Sequence, residues 1–503
     1  MMRTSSNGQL LTFTGLLCLT MFAACSSGTS SNGPRTTGNG GSGQATGGQS
    51  SAGSAGTNAN AGQSGSLNAG GTGNVAGSGA FAGGGATSTG GFGTGGSAGA
   101  AGGSGGTAGS AGAGTGVPVL TQFDTSCLGV PDPDVAASQN RVGMVGQWTA
   151  YFYHKDGSTD HNYTWKALEG SLISDTHIVF DLQSQRWFMS TIVQNVNGAA
   201  FGVQVMVSTD ETASSWKTSI PAHNADLIDN PQPTVSADKV LLIYHGNCAW
   251  VVDKTSLYNG GAPVVAPTTC TLQSADNWVA VKYGGMPPST AYAVTLLDDT
   301  HLSWLSVDGT QAANNVKLQV HNITIPKINT APVWGNGGVT VNGAQIEAGE
   351  VKAMWQNNHL YWAKTYQCSG STCTRLFDIN TSDNTVKTDD FSLNGEQLWF
   401  GVPGVDSHQN VWMLSSSASS AGPIGLAFMG KYASGSLYAP KKILDGKSQF
   451  AGSGQLRLGD YTSAAQDPDG SLWLIGMYAA TKPNPLNTEN SNAGCRVVHV
   501  VPQ

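Results

Sequence analysis

The stretch Asp460-Tyr461-Thr462-Ser463-Ala464-Ala465-Gln466-Asp467-Pro468-Asp469-Gly470-Ser471-Leu472-Trp473-Leu474 holds the pattern on which the fold is read. It runs from an acid into a short strand, turns on Asp467 to Gly470, and enters a second apolar strand. Asp, Pro and Gly each favour a tight reversal for a different backbone reason. The turn has part of a Ca²⁺-loop pattern, yet it lacks the later Glu and reads as a hairpin turn.

The same order recurs along the chain. Asp175-Thr176-His177-Ile178-Val179-Phe180-Asp181 leads to Arg186-Trp187-Phe188-Met189, and Asp229 leads through Asp238 to Val240-Leu241-Leu242. Weaker copies run over Glu350–Trp362, turning at Asn357 and Asn358, and over Phe400–Leu414, turning between Asp406 and Asn410. Copies lie roughly 50–60 residues apart, allowing one unclear unit between Asp229 and Glu350; propeller blades of four strands repeat at about 40–50. No long stretch keeps apolar residues at helical spacing, whereas β-branched and aromatic runs alternate with turn residues throughout 117–503. The expectation is all-β: a β-propeller of about six four-stranded blades, five or seven also fitting the spacing. A pair of β-sandwiches with similar hairpins is the alternative.

Upstream of residue 117 the chain changes character. Arg3 precedes an apolar run from Leu10 to Ala24, too short for a hydrocarbon core that needs about 20 apolar residues. A cleaved signal peptide over 1–24 is expected. Met21-Phe22-Ala23-Ala24-Cys25 has the form of a bacterial lipobox, so Cys25 is the expected lipidation site; the alternative is an ordinary cleavage site beside a cysteine. Ser26 follows, with no Asp to suggest inner-membrane retention, which points to the outer membrane or cell surface. Residues 25–116 are almost entirely Gly, Ser, Ala, Thr and Asn, too poor in apolar surface to offset the entropy of ordering. A disordered tether is expected, with a reach on the order of 50 Å. Gly102-Gly103-Ser104-Gly105-Gly106 matches a serine-hydrolase motif, but no strand and helix can flank it there.

Six cysteines fall in the folded part: 127, 248, 270, 368, 373 and 495. Export favours disulfides. Cys368 with Cys373 is expected to staple a hairpin, Cys248 with Cys270 to brace a blade, and Cys127 with Cys495 to tie the domain's ends. No zinc-ligand pairing is apparent, and no metal is assigned. The chain carries 23 Lys and Arg against 31 Asp and Glu without a basic cluster, which argues against nucleic acid as a partner. The lipid on Cys25 is the only membrane contact expected.

Asp175, Asp229, Glu350 and Asp460 stand at equivalent positions near the start of each repeat's first strand, the strand that would line a propeller channel. Converging carboxylates raise one another's pKa, so that one serves as acid and another as base, as glycosidases require. The same oxygens could hold Ca²⁺; no other cofactor is implied. Tyr461 is a candidate nucleophile or donor, Arg457 a candidate ligand for an acidic group, and Trp187 a candidate sugar platform, although strand tryptophans are core residues first. Equally, such acids serve as turn and blade staples. His154, Asp160 and His161 form a further polar loop cluster.

Arg457-Leu458-Gly459-Asp460-Tyr461-Thr462 with Asp467 to Trp473, the Asp229–Pro231 segment with Val235 to Asp238, and Phe180-Asp181 with Arg186-Trp187 resemble a group of secreted bacterial propeller-like proteins of unassigned function, broadly sialidase-like in architecture. The chain departs from that pattern at Leu458, where Trp is usual, and at Met477, where an acid is common. Ser208 to Trp216 lacks the central Gly of a sialidase Asp-box and reads as a folding turn. The favoured function is a tethered binding module for extracellular glycan or protein. The alternative is a glycoside hydrolase working through the channel acids.

Overall fold

The computed structural model describes residues 116–503 except 126–131, 147–148, 166–169, 196–200, 225–229, 245–247, 261–271, 273–276, 330–338, 342–343, 347–349, 369–370, 420–421, 449–460 and 482–492. Strand β1 (Val119–Thr125) comes first and pairs with the last strand, as set out below. Then follow antiparallel sheets in chain order. The first is β2 (Asp134–Ala137), β3 (Arg141–Val145), β4 (Thr149–His154) and β5 (Thr159–Thr164). The second is β6 (Gly170–Asp181), β7 (Arg186–Asn195), β8 (Phe201–Ser208) and β9 (Trp216–Asn224). The third has three described strands, β10 (Gln232–Val235), β11 (Lys239–Tyr244) and β12 (Cys248–Asp253), then the short helix α1 (Lys254–Tyr258) capped by Asp253.

The fourth sheet is β13 (Val279–Tyr283), β14 (Ala291–Asp298), β15 (His301–Asp308) and β16 (Lys317–Thr324). A small hairpin, β17 (Val339–Val341) with β18 (Ala344–Ile346), and the two-residue β19 (Glu350–Val351) precede the fifth sheet. That sheet is β20 (Ala353–Gln356), β21 (His359–Cys368), β22 (Ser371–Asn380) and β23 (Thr385–Phe391). The sixth is β24 (Gln397–Val405), β25 (Val411–Ala418), β26 (Gly425–Lys431) and β27 (Leu437–Leu444). The seventh is β28 (Tyr461–Gln466), β29 (Leu472–Ala479) and β30 (Ala493–Val501), completed by β1 in the order β1-β30-β29-β28.

The innermost strands close a ring. β2 adjoins β6, β6 adjoins β10, and the succession runs through β13, β20, β24 and β28 back to β2. Seven blades in sequence order around one axis, the fourth and fifth joined by the parallel pair β13–β20 and β19 added to the seventh, make a seven-bladed β-propeller among the described residues. The expectation of a propeller is met, at the upper end of its blade range. The repeats quoted above are the first hairpins of blades two, three, five, six and seven. The unclear unit is blade four, and blade one lies ahead of the first quoted copy.

Burial follows from this stacking. A middle strand meets a neighbouring blade on both faces, so β11, β25 and β29 are buried at every residue. Outer strands face solvent on alternate residues, as β16 and β23 do. Trp187, Trp250, Trp362, Trp399, Trp412 and Trp473 fill the spaces between blades and are fully buried.

The first turns of blades one, two, three, six and seven are held by a buried polar side chain, Ser138, Asp181, Ser236, Asp406 and Asp467 in turn. Asp406 takes the N–H groups of His408 and Asn410 at 2.8 and 2.9 Å on Oδ1, and those of Asn410 Nδ2 and Trp412 Nε1 at 2.9 and 2.8 Å on Oδ2. Asp467 takes Trp473 Nε1 at 2.7 Å and an ion pair from Lys155 of blade one. Asp181 takes Ser184 Oγ at 2.6 Å and Lys254 Nζ at 2.8 Å. Each carboxylate is thus buried with hydrogen-bond partners from its own turn, and for Asp181 and Asp467 a lysine from another blade or helix, which is what makes that burial tolerable. At Gly470 the turn requires φ of +89°, so Asp467 to Gly470 is the tight turn the sequence suggests. The Ser208–Trp216 segment is likewise a turn, its Asp210 accepting from Thr212 N at 2.9 Å.

Candidate functional site

The axis of the ring is occupied by charge. Asp134, at the start of β2, is wholly buried and is ion-paired with Lys282 of β13. Lys282 Nζ also donates to Val135 O at 2.5 Å and to Ser463 Oγ of β28 at 2.7 Å. The other carboxylate oxygen of Asp134 accepts Ile178 N at 3.2 Å and lies 3.3 Å from His177 Nδ1, both on β6. Nε2 of His177 meets the side-chain amide of Asn230 at 2.7 Å. Asp134 and Lys282 together therefore tie blades one, two, four and seven, and His177 carries the contact on to blade three.

Electrostatics fixes the protonation states. Burial opposes charge on Asp134, but Lys282, the His177 contact and Lys352 hold its carboxyl far below the usual range. Burial pushes His177 down to about 4, helped by Lys352 and opposed by Asp134, so the ring is neutral near pH 7. Burial also lowers Lys282, with Asp134 as the opposing pull. The result is a fixed ion pair beside a neutral imidazole.

Of the candidate residues named from sequence, Asp175 meets this cluster through Asn230. Asp175 lies on β6, half-buried at φ 50°, and its Oδ2 accepts the backbone N–H of Asn230 at 3.2 Å. Asp229, the residue before Asn230, lies outside the described residues, as do Arg457, Asp460 and Cys25. Glu350 is the register partner of Tyr461 in the parallel β19–β28 pair; the side chains of both lie outside the description. Lys352 N bonds Thr462 O at 3.2 Å, and the Lys352 charge is felt at Asp134 and His177. β6 thus meets the Asp134 cluster at His177 and Ile178, and β28 meets it at Ser463.

Trp187 lies elsewhere. It sits on β7 at 0% exposure, packed against Phe152 and Phe180 with its indole N–H on Glu211 O at 2.8 Å, so its faces are closed to a sugar. His161 and His154 do gather at Asp160, at 3.1 and 3.7 Å, but Arg141 already holds that carboxylate at 2.6 Å. A cation there would have to displace a guanidinium.

Sequence reading did not single out Asp134, Lys282 or Lys352. His177 stood inside a quoted repeat, and its apolar neighbours Ile178 and Val179 gave no sign that it faces the axis. At the opposite mouth of the ring, the inner strands end around a depression of about 440 Å³, counting its open side. Ala136, Phe180, Val235, Tyr283 and Gln466 line it, with Lys282 at its floor.

Cys368 and Cys373 are bonded across the β21–β22 hairpin, with Cα atoms 5.9 Å apart. Cys248 and Cys495 are also disulfide-bonded, to partners outside the described residues.

No protein-family model and no curated protein matches the sequence. Similar solved structures include the C-terminal WD40 domain of Sif2, at 8% identity and TM-score 0.39 over 77% of this chain and 99% of that one. The WD40 domain of coronin from Toxoplasma gondii gives 8% and 0.39 over 76% and 87%. YjhT gives 10% and 0.36 over 64% and 95%. Likeness this loose identifies no family, and the propeller rests on its strand order and closed ring.

Proposed function

We propose that the chain is a surface-tethered propeller that binds an extracellular glycan or protein. One observation carries the choice of binding over catalysis: the axial carboxylate Asp134 is locked to Lys282, with its pKa driven down. A general acid at neutral pH needs the opposite, a carboxyl held protonated by burial or a like charge. The cluster therefore reads as scaffold, leaving the rims and loops to recognise partners. Lipidation of Cys25 and the 25–116 tether would hold the domain at the outer membrane or cell surface.

The test takes purified residues 117–503 onto a glycan array and through cross-linking against surface proteins of the producing cell. Retention of a defined glycan or protein is expected, without turnover. Release of sugar from any polysaccharide would end the binding reading. The hydrolase alternative draws on the register pairing of Glu350 with Tyr461, next to Asp460. It requires such release to vanish in Asp229→Asn or Asp460→Asn. For the anchor, Cys25→Ala should lose both incorporation of a palmitate analogue and membrane fractionation. Ca²⁺ on the channel acids predicts a melting temperature that falls with chelator.

A further inference from the structure

Strand β1 is the segment through which the upstream chain enters the ring. It is the outermost strand of blade seven and pairs antiparallel with β30 from Val119↔Val501 to Thr125↔Cys495. Its hold is uneven. Val117 and Val119, at the entry end, are 62% and 48% exposed. The contacts that grip accumulate at the other end. Phe123 packs between Tyr153 of blade one and Trp473 of blade seven, with ring centroids at 5.2 and 6.2 Å. Asp124 accepts from Tyr478 OH at 2.8 Å and from Arg496 at 2.6 Å. Thr125 Oγ1 meets Tyr153 OH at 2.6 Å.

We infer that β1 is a mechanical clasp: pull on the upstream chain peels Val119 to Gln122 from β30 and is arrested at Phe123, Asp124 and Thr125. The geometry separates two stages. Pairs at the entry end break one at a time, because an edge strand pulled from its exposed end loads each hydrogen bond in turn. At Phe123 the load meets side chains from two blades at once. Only past that stop does it pass to Cys127 and then toward β2, where Asp134 ties the chain to the axis. A domain tethered by its N-terminal side to a surface would meet such pulls in use, and here the inference rests on the tethered reading.

An optical-trap experiment on residues 117–503, disulfides intact, tests it. One handle is fused upstream of residue 117 and the other attached at exposed Ala313 on blade four through Ala313→Cys. The first abrupt rupture, at the stop, should complete the release of about 25 Å of chain, seven residues at up to ~3.6 Å each, after the entry pairs have peeled. Phe123→Ala should make that event roughly tenfold faster at a given force. Leu437→Ala, on the outer strand of blade six, should leave it alone. Asp124→Asn is run in parallel, so that a Phe123→Ala chain that does not fold still leaves a comparison. A first rupture that frees a whole blade with β1 still paired overturns the inference, as does a first event unchanged in the variants that fold. A lipid-free Cys25 would sink the tether reading while leaving the force record as it is.

Discussion

At Asp134 and Lys282 two charges share the dry centre of the ring, and the consequence for mutation is asymmetric. Removing one partner strands the other without compensation, a loss of about 3–5 kcal/mol. Asp134→Asn and Lys282→Met should each lower the unfolding free energy measured in urea by that amount, and the double change should cost less than the sum. An additive double variant would mean the pair is not coupled. His177 gives a pH signature. Its folded pKa is about 4 against 6.5 unfolded, so between those values the unfolded chain binds the extra proton. Stability from this group is complete above pH 6.5, falls as the pH drops toward 4, and loses nothing further below. The gap of ~2.5 is worth about 3 kcal/mol. His177→Gln should flatten the urea midpoint between pH 6.5 and 4 relative to the parent chain; an unaltered slope would assign it to other groups. None of this was legible in sequence, because Asp134 and Lys282 stand 148 residues apart and neither carries a local motif.

At the scale of the element, what could be read was what is local. A buried Asp placed six residues before a buried Trp, as in Asp406 with Trp412 and Asp467 with Trp473, folds its hairpin with partners from its own turn, so the signal stays within one short window. Blade one hid because Ser138 does the aspartate's work there: its Oγ accepts Arg141 N at 3.0 Å. Blade four hid because its first turn, between β13 and β14, holds Gly284, Gly285, Pro287 and Pro288 and no acid at all. Asp406→Ala removes the acceptor of four hydrogen bonds and leaves Trp412 Nε1 buried without a partner. A loss of about 3 kcal/mol is expected, against under ~1 kcal/mol for Asp210→Ala in an exposed turn. Equal effects of the two in chemical denaturation would remove the special standing of the buried turns.

For the whole molecule the ring must be closed, and chain order leaves one seam, between blades seven and one. Blade seven takes its fourth strand from the front of the domain, so a contact between residues near 120 and 500 does the closing. A pattern read strand by strand cannot show this, since the pairing joins the two ends of the fold. Cysteine placement gave the hint. Thr125 stands opposite Cys495 in register, Cys495 is disulfide-bonded, and Cys127 comes two residues after Thr125. We therefore expect Cys127 and Cys495 to be joined, and Cys248 to be joined to Cys270. Non-reducing peptide mapping should recover both linked pairs together with Cys368–Cys373. Loss of the seam bond in Cys127→Ser with Cys495→Ser should cost about 2–4 kcal/mol, as removing a long-loop cross-link does. The same double change should expose the backbone amides of β1 to hydrogen exchange well before those of β25, whose residues are buried throughout. Linked peptides joining Cys127 to any other cysteine, or equal protection of β1 and β25 in the double variant, would move the closure of the ring away from this seam.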